Sequence, residues 1–287
     1  MLKRQTGGSV VCPSCGRLVG VRDAECHNCG RRNPGMWGFT AVVRRLGQDL
    51  GFTNLAFGAC LALYLLTLLV GGIDPGGGIF GLLSPRGETL FLFGASGAIP
   101  VFQYDRWWTP LSAGWLHGGL LHIGFNLYWL RQLGPTMGEL YGPGRSIVVY
   151  VVSSVVGFLA SSLAGRYLWA VPFLGGAGLT VGASAAIFGW LGALVHFGRR
   201  TGSRELSRQI LGFAVPMFII GLLLPIMDNW AHLGGFACGW GLSFLFDPAK
   251  QERIDHVLLA LVCLALSVLS IVVSVLHGMT LPIGRGG

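Results

Sequence analysis

The chain has 287 residues, 52% of them hydrophobic and only 11% charged, with 47 glycines and a formal net charge of +8. Soluble domains average about 25% charged residues, so the composition excludes an ordinary soluble enzyme and points to a membrane protein. The basic residues are spread over many short loops instead of forming one patch, which argues against nucleic-acid binding and fits cationic loops facing an anionic leaflet.

The N-terminal stretch opens with Cys12, Cys15, Cys26 and Cys29 in the spacing C-x2-C-x10-C-x2-C, with a glycine after each pair. Four thiolates in this pattern suit a tetrahedral structural zinc site, and glycine lets the backbone turn around the ion. A small cytosolic zinc ribbon over 1–33 is therefore expected, with His27 outside the ligand set. A pair of disulfides is the competing reading, and a reducing compartment disfavours it. No secretory signal with an apolar core is seen in this polar stretch, so the first span is expected to act as its own anchor. Residues 34–50 read as a linker and an interfacial helix, because Met36, Phe39, Val43, Leu46 and Leu50 recur at helical spacing opposite Arg44, Arg45, Gln48 and Asp49.

Seven nearly uncharged apolar stretches follow, at 52–72, 116–133, 147–165, 179–197, 210–224, 230–246 and 257–276. Most approach the roughly 20 residues needed to cross hydrocarbon. Cys60, Cys238 and Cys263 lie singly within them and read as small apolar filler. Between the first two spans, 74–110 is a long loop rich in glycine and proline, and a loop of that length usually folds compactly or carries function. Its aromatics Phe91, Phe93, Phe102, Trp107 and Trp108 suit an outer membrane interface. The loop also holds Ser96 in a Gly-Ala-Ser-Gly run, which resembles a nucleophile motif but opens no apolar span.

Polar side chains inside the spans need a partner or a task, since hydrocarbon tolerates them badly. His122 and Asn126 are four residues apart and share a helix face, about 40° from each other. His117 stands five residues before His122, roughly 140° round a helix, and reads as a hydrogen-bonding anchor at the outer end of that span. Ser184 follows Gly182 and Ala183, where small neighbours admit a substrate backbone and a helix start offers free N–H groups to an oxyanion. His232 begins the sixth span, with Gly235 and Gly239 forming a G-x-x-x-G face below it. A lone serine in a membrane helix ordinarily bonds its own backbone; its depth relative to His232 is what sets Ser184 apart.

Topology supplies that depth. With the N-terminus inside, sixteen Lys and Arg residues fall on inner segments and four on outer ones, a strong positive-inside bias. The second, fourth and sixth spans then all start at the outer face, so His122, Ser184 and His232 sit at one level. A serine, an imidazole and further polar donors are the parts of acyl transfer.

The motifs His117-x4-His122-x3-Asn126, Gly182-x-Ser184 with Phe188 one turn on, and Ala231-His232-x2-Gly235-x3-Gly239 together resemble the rhomboid intramembrane serine proteases. The resemblance implies an all-α polytopic membrane protein: a six-helix rhomboid-like core over 51–247 and an additional transmembrane helix in 248–287. It implies Ser184 as nucleophile and His232 as general base without an aspartate. His122, Asn126 and the Ser184 backbone N–H would form the oxyanion hole, with Phe188 packing against the His232 ring. Substrates would be transmembrane proteins cut in or near their spans, with zinc only structural and no cofactor for catalysis. The expected location is a bacterial inner membrane, the N-terminus cytoplasmic and the site towards the outer face, with the ribbon open to a protein partner. Two departures stand out: Thr109 follows Trp108 where the family usually has arginine, leaving Arg106 or Trp107 to support the loop, and Ala185 stands where many members have glycine. The competing functions are a rhomboid-like pseudoprotease that binds membrane clients, which the intact Ser184/His232 pair disfavours, and a small-solute transporter. A transporter would place ionisable groups at the bilayer midplane, whereas here they cluster at one outer level.

Overall fold

A computed structural model describes residues 4–13, 15–40, 47–76, 81–171, 174–223, 227–250 and 252–281. Strands β1 (Ser9–Val11) and β2 (Leu18–Gly20) pair antiparallel, with Val10 opposite Val19. Among the described residues, Val10, Val19, Val21, Cys12 and Cys26 make up the buried apolar core of this N-terminal unit. Five side chains are too few to hold a domain, which is why so small a unit leans on its cysteines. Gly16 and Gly30, one after each cysteine pair, have φ of +73° and +68°, the left-handed turn that glycine permits.

Of the stretch expected to form the interfacial helix, 41–46 lies outside the described residues, while Met36–Gly38 forms a 3-10 turn with Met36 and Trp37 at φ of +47° and +51°, and 47–50 is a turn. Asp49 is not on the expected polar face: the buried carboxylate accepts the N–H groups of Gly51 and Thr53 at 3.0 and 2.8 Å and starts the next helix.

That helix is α1 (Phe52–Gly71). The long loop after it then holds α2 (Gly87–Phe93), α3 (Ala98–Gln103) and two 3-10 turns, Thr109–Leu111 and Ala113–Trp115. Six more helices follow: α4 (Leu120–Tyr141), α5 (Pro143–Tyr167), α6 (Ser184–Arg200), α7 (Arg204–Leu223), α8 (Asn229–Leu245) and α9 (Ile254–Thr280). A helix therefore stands at each expected apolar stretch. By length and composition, α1, α5, α7 and α9 can cross a membrane. The others are shorter or more polar, and of these α6 is the one shielded by protein. Thirteen of the seventeen residues of α6 are buried, and α5, α7 and α8 pack around it. By contrast α1 and α9 turn Leu61, Leu65, Leu69, Leu258, Leu261 and Val268 outward.

Close approach at the centre comes from glycine. A Cβ on Gly239 would overlap the Gly189 carbonyl oxygen, one on Gly192 the Phe236 carbonyl, and one on Gly235 the Ala185 carbonyl. These contacts seat α8 directly against the backbone of α6. At the far end the buried guanidinium of Arg145 donates to the backbone oxygens of Asp247 and Lys250 and ties α5 to the α8–α9 connection.

Not all the loop aromatics face outward as expected. Phe91 and Phe93 are buried, while Trp107 is 72% exposed. Cys60 and Cys263 are buried and unpaired, as filler should be.

Candidate active site

Ser184 is the first residue of α6, five residues later than the apolar stretch begins. Gly182 precedes it with φ of +131°, so the chain turns sharply into the helix. As a first-turn residue, Ser184 has a backbone N–H without an intrahelical acceptor. Its hydroxyl is half-buried and lies 2.9 Å from His232 Nε2.

His232 is buried in the first turn of α8, whose start is fixed by Asp228 accepting the Ala231 N–H at 3.0 Å. The Phe188 ring lies parallel beneath the imidazole, centroids 4.2 Å apart and planes 5° apart. Among the described residues His232 Nδ1 has no hydrogen-bond partner. If Nε2 accepts the serine proton, neutral His232 carries its own proton on Nδ1.

His122 faces the pair from α4. Its Nδ1 accepts the Gly118 N–H at 3.3 Å, so the neutral ring holds its proton on Nε2. That Nε2 points at Gly182: a Cβ there would lie 2.6 Å from it and 3.7 Å from Ser184 Oγ. An N–H donor is thus aimed beside the nucleophile's position. Asn126, one turn on and 2% exposed, donates to the His122 carbonyl at 2.9 Å, which uses one of the two N–H groups of its amide.

His117 does not sit on a helix with His122. Gly118 and Gly119 intervene, and α4 starts only at Leu120, later than the apolar run suggested. The loop nevertheless brings the two rings edge to face at 5.3 Å. Fully buried His117 accepts the Ala183 N–H at 3.5 Å, next to Ser184. Gly182 N–H also donates to the Ala113 carbonyl at 3.0 Å. Seven of the expected residues, His117, His122, Asn126, Gly182, Ser184, Phe188 and His232, therefore gather at one end of the bundle. Gly235 and Gly239 support them from below.

Ser96 is elsewhere. It is fully buried, its backbone pairs with Thr180, and among the described residues its hydroxyl meets only Ser162 and Thr109. No imidazole is within its bonding reach. Sequence reasoning left one residue unresolved: Arg106, wholly buried, with its guanidinium 4.3 Å over the Phe91 ring and donating to the carbonyls of Phe91 and Ser274 at 2.6 and 2.8 Å. Burial pulls it down to about 10, so it stays charged at neutral pH.

The N-terminal cysteines form a second centre. The four Sγ atoms all lie within 4.8 Å of one another, with Cys12–Cys29 at 3.8 Å and Cys15–Cys26 at 3.6 Å. A tetrahedral ion with sulfur at about 2.3 Å requires sulfurs about 3.8 Å apart, so the cluster fits a metal. The Arg17 backbone N–H chiefly pulls the Cys15 thiol down to about 6. The Arg31 N–H would do the same for Cys29, but burial and the neighbouring thiols outweigh it and push Cys29 up to about 12. Crowded thiols resist joint ionisation, and a cation removes that conflict.

Residues 104–249 match the family model described as the Rhomboid domain. Among curated proteins, the chain is 34% identical over 170 residues to RHOMBOID-like protein 1 of Arabidopsis thaliana, covering 58% of this chain and 41% of that one. It is 30% identical over 186 residues to Rhomboid protease GluP of Bacillus subtilis (strain 168), covering 63% and 34%. To Rhomboid-type serine protease 2 of Emericella nidulans it is 37% identical over 159 residues, covering 52% and 29%. The chain thus spans about half or less of the length of the curated relatives it matches.

Proposed function

This chain belongs to the rhomboid family, and from that premise we propose that it is an intramembrane serine endopeptidase acting on transmembrane protein substrates. The observation that carries the reading is the 2.9 Å contact between Ser184 Oγ and His232 Nε2 at the N-terminus of a buried helix.

The chemistry follows from the geometry. His232 Nε2 takes the Ser184 proton as Oγ attacks the substrate carbonyl carbon, and negative charge moves onto the carbonyl oxygen. The Ser184 backbone N–H, His122 Nε2–H and the remaining Asn126 N–H serve that oxyanion; one such donor is worth about 10²–10³ in turnover. The His232 imidazolium then protonates the leaving amine, breaking the peptide bond and leaving an acyl-enzyme. Water repeats the cycle with His232 as base and frees Ser184. Phe188 holds the imidazole plane against its face, a task that in three-membered triads falls to a carboxylate. The shallow placement of the site, at the start of α6 and α8, gives water a short route. A substrate helix has to unwind to expose a carbonyl, so the scissile segment should be rich in small residues.

The four cysteines are read as a structural zinc site, with 1–33 a ribbon that caps the chain or meets a partner. The bias of basic residues towards one set of loops supports an N-terminus in the cytoplasm and a dyad towards the outer face.

The test is cleavage of a transmembrane reporter in proteoliposomes together with fluorophosphonate labelling mapped to Ser184. Both should vanish in Ser184→Ala and in His232→Ala. Equal cleavage by wild type and Ser184→Ala, or labelling at Ser96, would overturn the assignment.

A further inference from the structure

The last helix, α9, lies outside the rhomboid match, yet its serines are bonded into the outer loop. Ser270 shares its hydroxyl between the Trp108 carbonyl at 2.8 Å and Ser112 Oγ at 3.0 Å. Ser274 accepts Arg106 on its carbonyl at 2.8 Å and the Trp108 indole N–H on its hydroxyl at 3.0 Å. Ser112 passes the connection on to the Gly94 carbonyl at 2.7 Å. Both α9 serines are at least 97% buried. A buried cation on a neighbouring helix's backbone is costly to place and is kept where it holds something.

What the loop holds is the strand of chain leading to Ser184. Ser96 and Thr180 exchange backbone hydrogen bonds at 3.0 and 2.7 Å. The N–H groups of Ala98 and Ile99 donate to the carbonyls of Ala177 and Gly178 at 2.9 and 3.0 Å, and Gly182 N–H donates to Ala113 at 3.0 Å. A single apolar cluster joins all three parts: Leu90 and Phe93 from the loop, Leu179 and Val181 from the approach to Ser184, and Ile271 and Val275 from α9. Resting on the protease reading above, we propose that α9 is a positioning element for the nucleophile. Ser270, Ser274 and Arg106 fix the outer loop, and the loop fixes the 177–182 segment that sets where Ser184 stands.

In this chain Arg106 takes up the loop-supporting task left open by Thr109, whose own hydroxyl stays local on Ser96 and the Arg106 carbonyl. The small apolar reach of Ile271 and Val275 cannot fix orientation, because hydrophobic contact has no direction. The hydrogen bonds supply it.

The test compares the second-order rate of fluorophosphonate labelling of Ser184 in full-length protein, per folded molecule. Ser270→Ala should slow it about fivefold, the rate equivalent of one neutral hydrogen bond, and Ser274→Ala should slow it similarly. Ser267→Ala is the matched control: its hydroxyl is equally buried on α9 but, among the described residues, bonds only the Cys263 carbonyl of its own helix. That variant should label at the wild-type rate. On a transmembrane reporter, Ser270→Ala should lower kcat and leave KM unchanged. Wild-type labelling in both Ser270→Ala and Ser274→Ala, or equal slowing by Ser267→Ala, overturns the positioning role while the protease reading stands. Wild-type protein that takes no label at Ser184 overturns both.

Discussion

Replacing Gly182 by alanine tests the oxyanion arrangement at its tightest point. Two costs combine there. The φ of +131° is strained for any residue with a Cβ, at about 1–3 kcal/mol. The new methyl would also stand 2.6 Å from His122 Nε2 and 2.7 Å from its Cε1, where ordinary contact begins at 3.4 Å. The ring or the turn must therefore move by about 0.8 Å (3.4 − 2.6). His122 cannot withdraw freely, because its Nδ1 is held by the Gly118 N–H at 3.3 Å. Misplacing a catalytic donor by about 1 Å costs on the order of 10²-fold, so kcat on a transmembrane reporter should fall about a hundredfold, with KM little altered. Gly118→Ala is the control, since its Cβ would meet only His122 Nδ1 at 3.7 Å and Val181 at 3.8 Å. It should stay within about threefold of wild type. If Gly182→Ala turns over at the wild-type rate while folded, the Nε2–H of His122 is not the donor beside Ser184 and the oxyanion assignment fails.

Phe188→Ala should lower kcat about tenfold or more by freeing the His232 imidazole from the ring stacked at 4.2 Å, while His232 stays needed for labelling; an unchanged kcat would show that the ring does not orient the base. Gly239→Val drives a side chain into the Gly189 backbone and should cost at least about 1–3 kcal/mol, read as a lowered thermal midpoint in detergent. Gly241→Val, with nothing within 4 Å of its added Cβ, should leave that midpoint in place. Elemental analysis should find one zinc per chain, lost in Cys12→Ser, and chelation should open the N-terminal unit to trypsin while reporter cleavage persists. Cleavage that disappears with the metal would tie the ribbon to the membrane domain.

The parts of this protein legible in its sequence are those in which hydrocarbon imposes a rule. A polar group in an apolar run is conspicuous, so His122, Asn126, Ser184 and His232 stood out, and charge bias placed three of them at one level. The G-x-x-x-G face of Gly235 and Gly239 carried its packing partner in its spacing. Helix ends were less readable, because hydropathy does not register a turn made within an apolar run: Gly118 and Gly119 delay α4 past His117, and Gly182 delays α6 to Ser184. Both delays matter to the chemistry. The first lets a histidine leave the helix and accept the Ala183 N–H, and the second turns Ser184 into a helix start with a free N–H. Least legible was the outer loop. Its support comes from Arg106, and the carbonyls that satisfy Arg106 belong to Phe91 and to Ser274, 168 residues away. Backbone acceptors leave no mark in composition or spacing, so nothing in the sequence singles out the serines of α9 as their partners. A membrane protein can therefore announce its reactive groups plainly and still conceal what aligns them: reactive side chains are exceptions to the apolar rule, while the carbonyls that hold a buried guanidinium are present in every residue.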